Sequence, residues 1–182
     1  VIFLRRRLRK LRAAVARVKA RIKKLAGRHP SGVSLTGLKW VSQWEGWYPT
    51  PYNDPAGYAT IGYGHLLGLR PVSHADHNRF PRPLTKEEGL QLLLKDLAVA
   101  ASAIRDNVKV PLTQAQFDAL SSWAFNVGAS AAKESTLIRR LNRGEYSAVP
   151  FELSRWTLAG GQQLPGLVRR REAEGRLFAH GY

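Results

Sequence analysis

The chain has neither cysteine nor methionine among its 182 residues. Without thiols there is no disulfide framework, no thiolate metal site and no cysteine nucleophile, and the redox compartment is left open. The chain also lacks any run near the roughly 18 consecutive apolar residues that a membrane-spanning helix needs. No apolar signal-peptide core follows the first arginines. Acids are scarce, 13 Asp and Glu against 29 Lys and Arg, for a net charge of +16. In residues 1–28 they are absent altogether, while twelve Lys and Arg crowd the same stretch, so the other 154 residues carry a net +4. Charge of that sign and magnitude suits a polyanionic partner: nucleic acid, an anionic membrane, or the acidic polymers of a bacterial envelope. The first residue is Val1, and the chain is expected to be a processed or excerpted piece of a longer protein.

What is present divides in two. In the basic stretch, Leu4, Leu8, Leu11, Val15, Val18, Ile22 and Leu25 recur at alternating spacings of four and three, with Leu8, Val15 and Ile22 in heptad position a and the others in d. Both flanks of that seam are positive, which opposes self-association through it. Three uses remain open for such a stripe: packing on another part of a longer protein, docking on an anionic membrane or lipopolysaccharide, or binding nucleic acid. The last is disfavoured because Phe3 is the stretch's single aromatic and offers no stacking platform. "GRHPSG", residues 27–32, is a Gly/Pro break. It predicts a basic helical appendage over 1–28, a linker over 29–33 and a main domain over 34–182.

Within the domain, Leu38, Val41 and Trp44 predict a short helix over 36–45. Residues 48–65 turn aromatic and β-branched between turn signals, which predicts a hairpin or three-stranded sheet, with "DPAG" (54–57) as a type I turn. A polar loop is expected over 69–83. Capping-box patterns at Thr85–Glu88 and Thr113–Gln116 open predicted helices over 85–107 and 114–127. The first buries Leu93, Leu97, Ala100, Ala101 and Ile104. Shorter helices are expected over 134–142, 146–157 and 166–179. The layout is α+β: a small sheet lobe, a long helix, and a larger helical lobe, with a cleft between the lobes.

One acid stands out. Glu45, in "WEGWY", sits between Trp44 and Trp47 at the predicted C-terminal end of a helix. Apolar cover and the negative end of a helix dipole both favour a protonated carboxyl, which is what a general acid requires. Taken singly, Asp54 is an ordinary turn residue and Thr60 an ordinary strand residue. A threonine hydroxyl that donates to one group and accepts from another is nevertheless suited to holding a water beside a carboxylate.

The composite "WEGWYPTPYNDPAGYATIGYGH" resembles the active-site segment of the phage-type lysozymes, glycoside hydrolase family 24. That family has Glu-Gly, an Asp nine residues on, a Thr six beyond it, and then Ile-Gly-x-Gly-His. Here these are Glu45-Gly46, Asp54, Thr60, and Ile61-Gly62-Tyr63-Gly64-His65. "ALSSWAFNVG" (119–128), "STLIRRLNRGEY" (135–146) and "RWTLAGGQQLPGLVRRREAEGRLF" (155–178) resemble later family blocks in the same order, so the likeness spans about 34–180. It implies a lysozyme-like fold and a muramidase that cleaves the β-1,4 bond between N-acetylmuramic acid and N-acetylglucosamine in peptidoglycan. Glu45 would then be the proton donor, and Asp54 and Thr60 would orient the attacking water, with the carboxyls roughly 6.5–9.5 Å apart. Leu66 and Phe125 match positions lining the glycan cleft, and Asn126 and Thr136 match polar contacts. For His65, support of the sheet and a part in catalysis both stay open.

Loop 69–83 is longer than the family's usual link, and "GASAAKES" (128–135) is more polar, so the cleft rim is expected to differ. "HADH" (74–77) offers two histidines and one acid, short of a ligand set, and no metal or other cofactor is expected. The expected partner is peptidoglycan, with anionic membrane or lipopolysaccharide reached through 1–28, no nucleic acid, and a monomeric state. The expected location is the host cytoplasm before release to the cell wall or periplasm, or the virion. Two alternatives remain: a lytic transglycosylase on the same fold, and a non-enzymatic envelope-binding or permeabilising module.

Overall fold

The computed structural model describes residues 29–182; the predicted basic helix over 1–28 lies outside the described residues. The α+β layout is as expected. Helix α1 spans Leu35–Ser42, and Ser34 caps it by accepting a 2.9 Å hydrogen bond from Gly37 N–H. It buries Leu38 and Val41. Strands β1 (Tyr48–Asn53), β2 (Ala59–Gly62) and β3 (His65–Gly68) form an antiparallel meander. The expected DPAG turn joins the first two: Gly57 N–H bonds the Asp54 carbonyl at 2.8 Å, and Gly57 takes φ +84°, open to a residue without Cβ.

The expected polar loop contains a short helix, α2 (His74–Arg79). Its start is set by Asp76, whose Oδ2 accepts from the amide and hydroxyl of Ser73. Arg70 grips the same carboxylate with both terminal nitrogens, at 2.6 and 3.0 Å. The acid of HADH is thus committed to a guanidinium and a helix cap.

Helix α3 (Lys86–Asn107) begins at the predicted capping box, with Thr85 N–H donating to Glu88 and Glu88 N–H to Thr85 Oγ1. Arg82 closes on Glu88, and these donors pull its carboxyl down to about 2. All five residues of the predicted apolar stripe are buried. Helix α4 (Gln114–Val127) opens on the second capping box and is buried continuously from Phe117 to Ala124, as a helix wrapped by others must be.

The remaining helices are more divided than expected. The helix expected over 134–142 is α6 (Thr136–Asn142), and a further short helix that was not expected, α5 (Ala129–Glu134), precedes it. Ser135 separates them because its side chain caps the second, accepting from Ile138 N–H at 3.1 Å. The stretch 146–157 holds only a 3₁₀ turn (Tyr146–Ala148) and α7 (Val149–Ser154). A two-residue hairpin, β4 (Leu158–Ala159) and β5 (Gln162–Gln163), was not foreseen, since strands this short carry no periodicity. Helix α8 runs from Pro165 to His180.

Two cores result. One lies within the helical lobe around Phe117, Leu120, Trp123, Leu137 and Leu153. The other lies between the sheet, α1 and α3, around Leu38, Val41, Tyr63, Leu93 and Leu97. Val33, Trp40 and Phe125 pack against both, so the lobes share side chains at their junction. Residues 29–33 are tied to the helical body: His29 Nε2 meets Val108 O at 2.8 Å, Arg105 donates to Ser31 O, and Gln114 to Gly32 O. Among the described residues no helix is long and apolar enough to cross a membrane.

Gly89 shows how tightly the sheet end is seated on α3. A Cβ there would lie 2.2 Å from the Trp47 ring and 3.3 Å from Tyr63. Gly89→Ala gains about 1 kcal/mol of helix propensity, and overpacking a rigid indole costs about 1–3 kcal/mol. At such a short approach the second effect wins. Chemical denaturation should show a net loss of about 1–2 kcal/mol, whereas a stabilised variant would mean that Trp47 is not wedged there.

Candidate active site

Glu45 does not sit on the last turn of a helix. α1 stops at Ser42, the chain turns through Trp44 N–H to Val41 O, and Glu45 follows. The helix dipole fades within the last turn. Each flanking indole packs on another ring. Trp44 packs on Trp40 with ring centroids 5.7 Å apart, and Trp47 packs on Tyr63 at 4.7 Å. The close partner of the carboxyl is cationic: Arg170 Nη1, from α8, donates to Glu45 Oε1 at 2.8 Å. The Arg170 side chain is 6% exposed and that of Glu45 21%, so the pair is largely withdrawn from water. It bridges 125 residues of sequence and closes the approach to the sheet onto the helical lobe.

Asp54 begins the β1–β2 turn, where Oδ1 accepts from Ala56 N–H and Tyr58 N–H, each at 2.9 Å. Its Oδ2 has no hydrogen-bond partner among the described residues. Thr60 is buried on β2 and donates its hydroxyl to Tyr58 O at 3.1 Å. Across the sheet Thr60 pairs with Tyr52 on one side and Leu66 on the other, so these three occupy one lateral row. Tyr52 ties the row to both acids. Burial raises its phenol, and the charges of Tyr48, Asp54 and Glu45 push it further in the same direction. Both carboxylates therefore lie within electrostatic reach of one hydroxyl. Tyr48, 47% exposed, stacks on Tyr52 at 3.9 Å and covers the backbone of Gly46.

The other residues singled out in the sequence divide between the lobes. Leu66 is exposed on β3. His65 reaches the Asp96 carboxylate on α3 through Nδ1 at 2.9 Å, a contact that pins the sheet to the long helix. Phe125 is half-buried where the two cores meet, and Asn126 is exposed one residue beyond it. Thr136 opens α6, its hydroxyl accepting from Arg139 at 2.8 Å. Glu45, Asp54, Thr60 and Leu66 thus gather around Tyr52 and the sheet, while Phe125, Asn126 and Thr136 belong to the facing helical lobe.

Reading the sequence missed Arg170 and Tyr52. A signal for the first was present in "LVRRREAEGRLF". The buried residues of α8 are Arg170, Arg171, Glu174, Gly175, Leu177 and Phe178, which places charges on the stripe where periodicity demands apolar side chains. Tyr52 had no such mark, because tyrosine is an ordinary strand residue.

A family model described as phage lysozyme matches residues 42–174. An endolysin of Acyrthosiphon pisum secondary endosymbiont phage 1 is 37% identical over 150 residues, covering 80% of this chain and 97% of its own. A SAR-endolysin of Enterobacteria phage P21 is 35% identical, covering 83% and 87%. Among solved structures, the muramidase domain of SpmX from Asticcacaulis excentricus, as a chain of 34% identity, superposes with a TM-score of 0.70 over 84% of this chain and 99% of that one. The matched span contains Glu45, Asp54, Thr60 and Arg170, and the chain belongs to the phage lysozyme family, whose members are glycosidases of the muramidase type.

Proposed function

We propose that the protein hydrolyses the β-1,4 bond between N-acetylmuramic acid and N-acetylglucosamine in peptidoglycan, with Glu45 as general acid and Asp54 and Thr60 positioning the water. The observation that supports this reading most is that Glu45, Asp54 and Thr60 all fall inside the span matched to the phage lysozyme family, with Asp54 at the β1–β2 turn and Thr60 beside Leu66 on one row of the sheet. The glycan lies between Leu66 on the sheet and Phe125, Asn126 and Thr136 on the helical lobe. Arg170 holds Glu45 Oε1, and the proton rides on the other oxygen. That proton passes to the glycosidic oxygen as the bond to the anomeric carbon breaks. Water attacks the same carbon from the opposite face, and Asp54 takes its proton, which gives inversion. Thr60 supplies a hydroxyl that fixes the water beside Asp54.

Mass spectrometry of purified peptidoglycan after digestion tests bond and mechanism together. Reducing N-acetylmuramic acid ends are expected. Reducing N-acetylglucosamine ends would move the cleavage to the other glycosidic bond, and 1,6-anhydro ends would replace water by the muramic 6-hydroxyl and make the protein a lytic transglycosylase.

The same reading keeps 1–28 as a separate basic appendage, 29–33 as linker and 34–182 as the lysozyme domain. The twelve positive charges of 1–28 draw the enzyme to the anionic envelope surface. Deleting them should leave hydrolysis of purified peptidoglycan unchanged while slowing attack on intact cells by roughly tenfold at low salt. The difference should shrink near 0.15 M salt, where the screening length is about 8 Å. Equal rates on intact cells at low salt would reduce the segment to a packing or linker element.

A further inference from the structure

We propose that Glu174 is a positioning residue for the Glu45 site: together with Ser122 and Arg171 it fixes the Arg170 guanidinium and takes a share of its charge. Glu45 is then aimed by an Arg170 that Glu174 also holds. This rests on Glu45 acting as the proton donor.

Arg170 is not simply a partner of Glu45. Its Nε lies 3.3 Å from Glu174 Oε1, and its Nη2 3.4 Å from Ser122 Oγ. Glu174 Oε1 accepts from Ser122 Oγ at 2.7 Å and from Arg171 Nη2 at 3.0 Å. Arg171 Nε stands 2.7 Å from Glu174 Oε2 as an ion pair, without the alignment of a hydrogen bond. The side chains of Arg171 and Glu174 are 0% exposed. Two carboxyl groups face two guanidiniums, so opposite charges are paired where so many ionisable groups are buried together.

The arrangement exceeds what packing asks for. Arg171 Nε and Nη1 are buried with no hydrogen-bond partner among the described residues, so Arg171 contributes charge more than hydrogen bonds. Burial pushes the Glu174 carboxyl up, and the charges of Arg171 and Arg170 together with the Ser122 hydroxyl oppose that push. Once ionised, Glu174 competes with Glu45 for Arg170. The planar guanidinium fork makes such sharing geometrically definite. The remaining charges on neighbouring elements are engaged elsewhere. Glu152 on α7 pairs with Arg140 and Arg155, and Asp118 on α4 binds Ser34, Gln114 and Tyr182. On the sheet side the charge of Glu45 acts on the Tyr52 phenol, as do Tyr48 and Asp54.

Glu174→Gln keeps the shape and removes the competing charge, so Arg170 bears undivided on Glu45. The alkaline limb of kcat/KM against pH is expected to move to lower pH by about one unit. At neutral pH, kcat is expected to fall about tenfold with KM unchanged. Glu174→Asp keeps the charge and should leave the limb near its wild-type pH. Ser122→Ala, the removal of a single oxygen, takes away the hydroxyl that favours the charged form of Glu174. It should move the limb in the same direction by less, and it decides the matter if Glu174→Gln does not fold. A purely structural quartet would lower the unfolding temperature and leave the limb in place; that result in any folded variant overturns the proposal. Glu45→Gln, assayed alongside, separates the two levels. If it retains wild-type activity, the proton-donor reading falls and the positioning role with it. If it is inactive and the limb is unmoved in folded Glu174→Gln, the positioning role alone is lost.

Discussion

Glu45→Gln is expected to abolish clearing of a peptidoglycan suspension, with kcat/KM lower by about 10²–10⁴, while the protein stays folded. Glutamine preserves the volume and still offers Oε1 to Arg170 at the position of the 2.8 Å contact, but it has no proton to give to a leaving oxygen. Fold is checked by circular dichroism and thermal melting beside the turbidity assay. Asp54→Asn makes a matched control. Its Oδ1 continues to accept from Ala56 and Tyr58, so the turn survives, while the capacity to take a proton from water is removed. Undiminished activity in folded Glu45→Gln would dismiss the assigned chemistry, and the fold alone would then remain of the muramidase reading.

The largest expected effect on stability lies away from the site, at Asp118. This carboxylate is fully buried on α4 and accepts four hydrogen bonds: Ser34 N–H at 3.1 Å, Ser34 Oγ at 2.6 Å, Gln114 Nε2 at 2.9 Å and Tyr182 Oη at 2.7 Å. One side chain thereby clasps the entry to the domain and its last residue. Burial and the Asp118 contact both push the Tyr182 phenol up, as expected for a hydroxyl that donates to a buried acid. Gly37 packs against the same group, since a Cβ there would fall 2.5 Å from Asp118 Cγ. Asp118→Ala removes the acceptor from all four donors, although Gln114 and Tyr182 also reach water. It should destabilise the protein by about 2–4 kcal/mol, or roughly 10 °C in Tm for a domain of this size. Asp118→Asn retains an acceptor and should lose less. A loss below about 1 kcal/mol for Asp118→Ala would show that water satisfies the clasp.

Other parts of the molecule sort by the range of the forces that shape them. Both capping boxes are contained within four residues, and each opens a helix where the sequence places it. The stripe Leu93, Leu97, Ala100, Ala101 and Ile104 is buried because a 3.6-residue period turns those side chains to one side whatever lies opposite. The DPAG turn is equally local. The helix inside 69–83 has a local signal of the same kind, Ser73 and Asp76 three residues apart, but at six residues it is too short to show a periodicity. The break at Ser135 was hidden because a serine within a helical pattern is either a solvent-facing residue or a cap, and only packing selects between them.

The family motif was legible as spacing alone, since Glu45, Asp54 and Thr60 fall within 16 residues of chain. By itself, then, the sequence determined the fold class, the sheet turn, the long helix and the three residues on which the chemistry is proposed to rest. The surroundings of Glu45 were decided only in three dimensions. The adjacent tryptophans pack on Trp40 and Tyr63, and an arginine 125 residues distant supplies the hydrogen bond to the carboxyl. Secondary structure and turns follow from neighbours along the chain, but the field at a carboxyl group depends on whichever charges are nearest in space. Tertiary packing alone brought Arg170, Arg171 and Glu174 there.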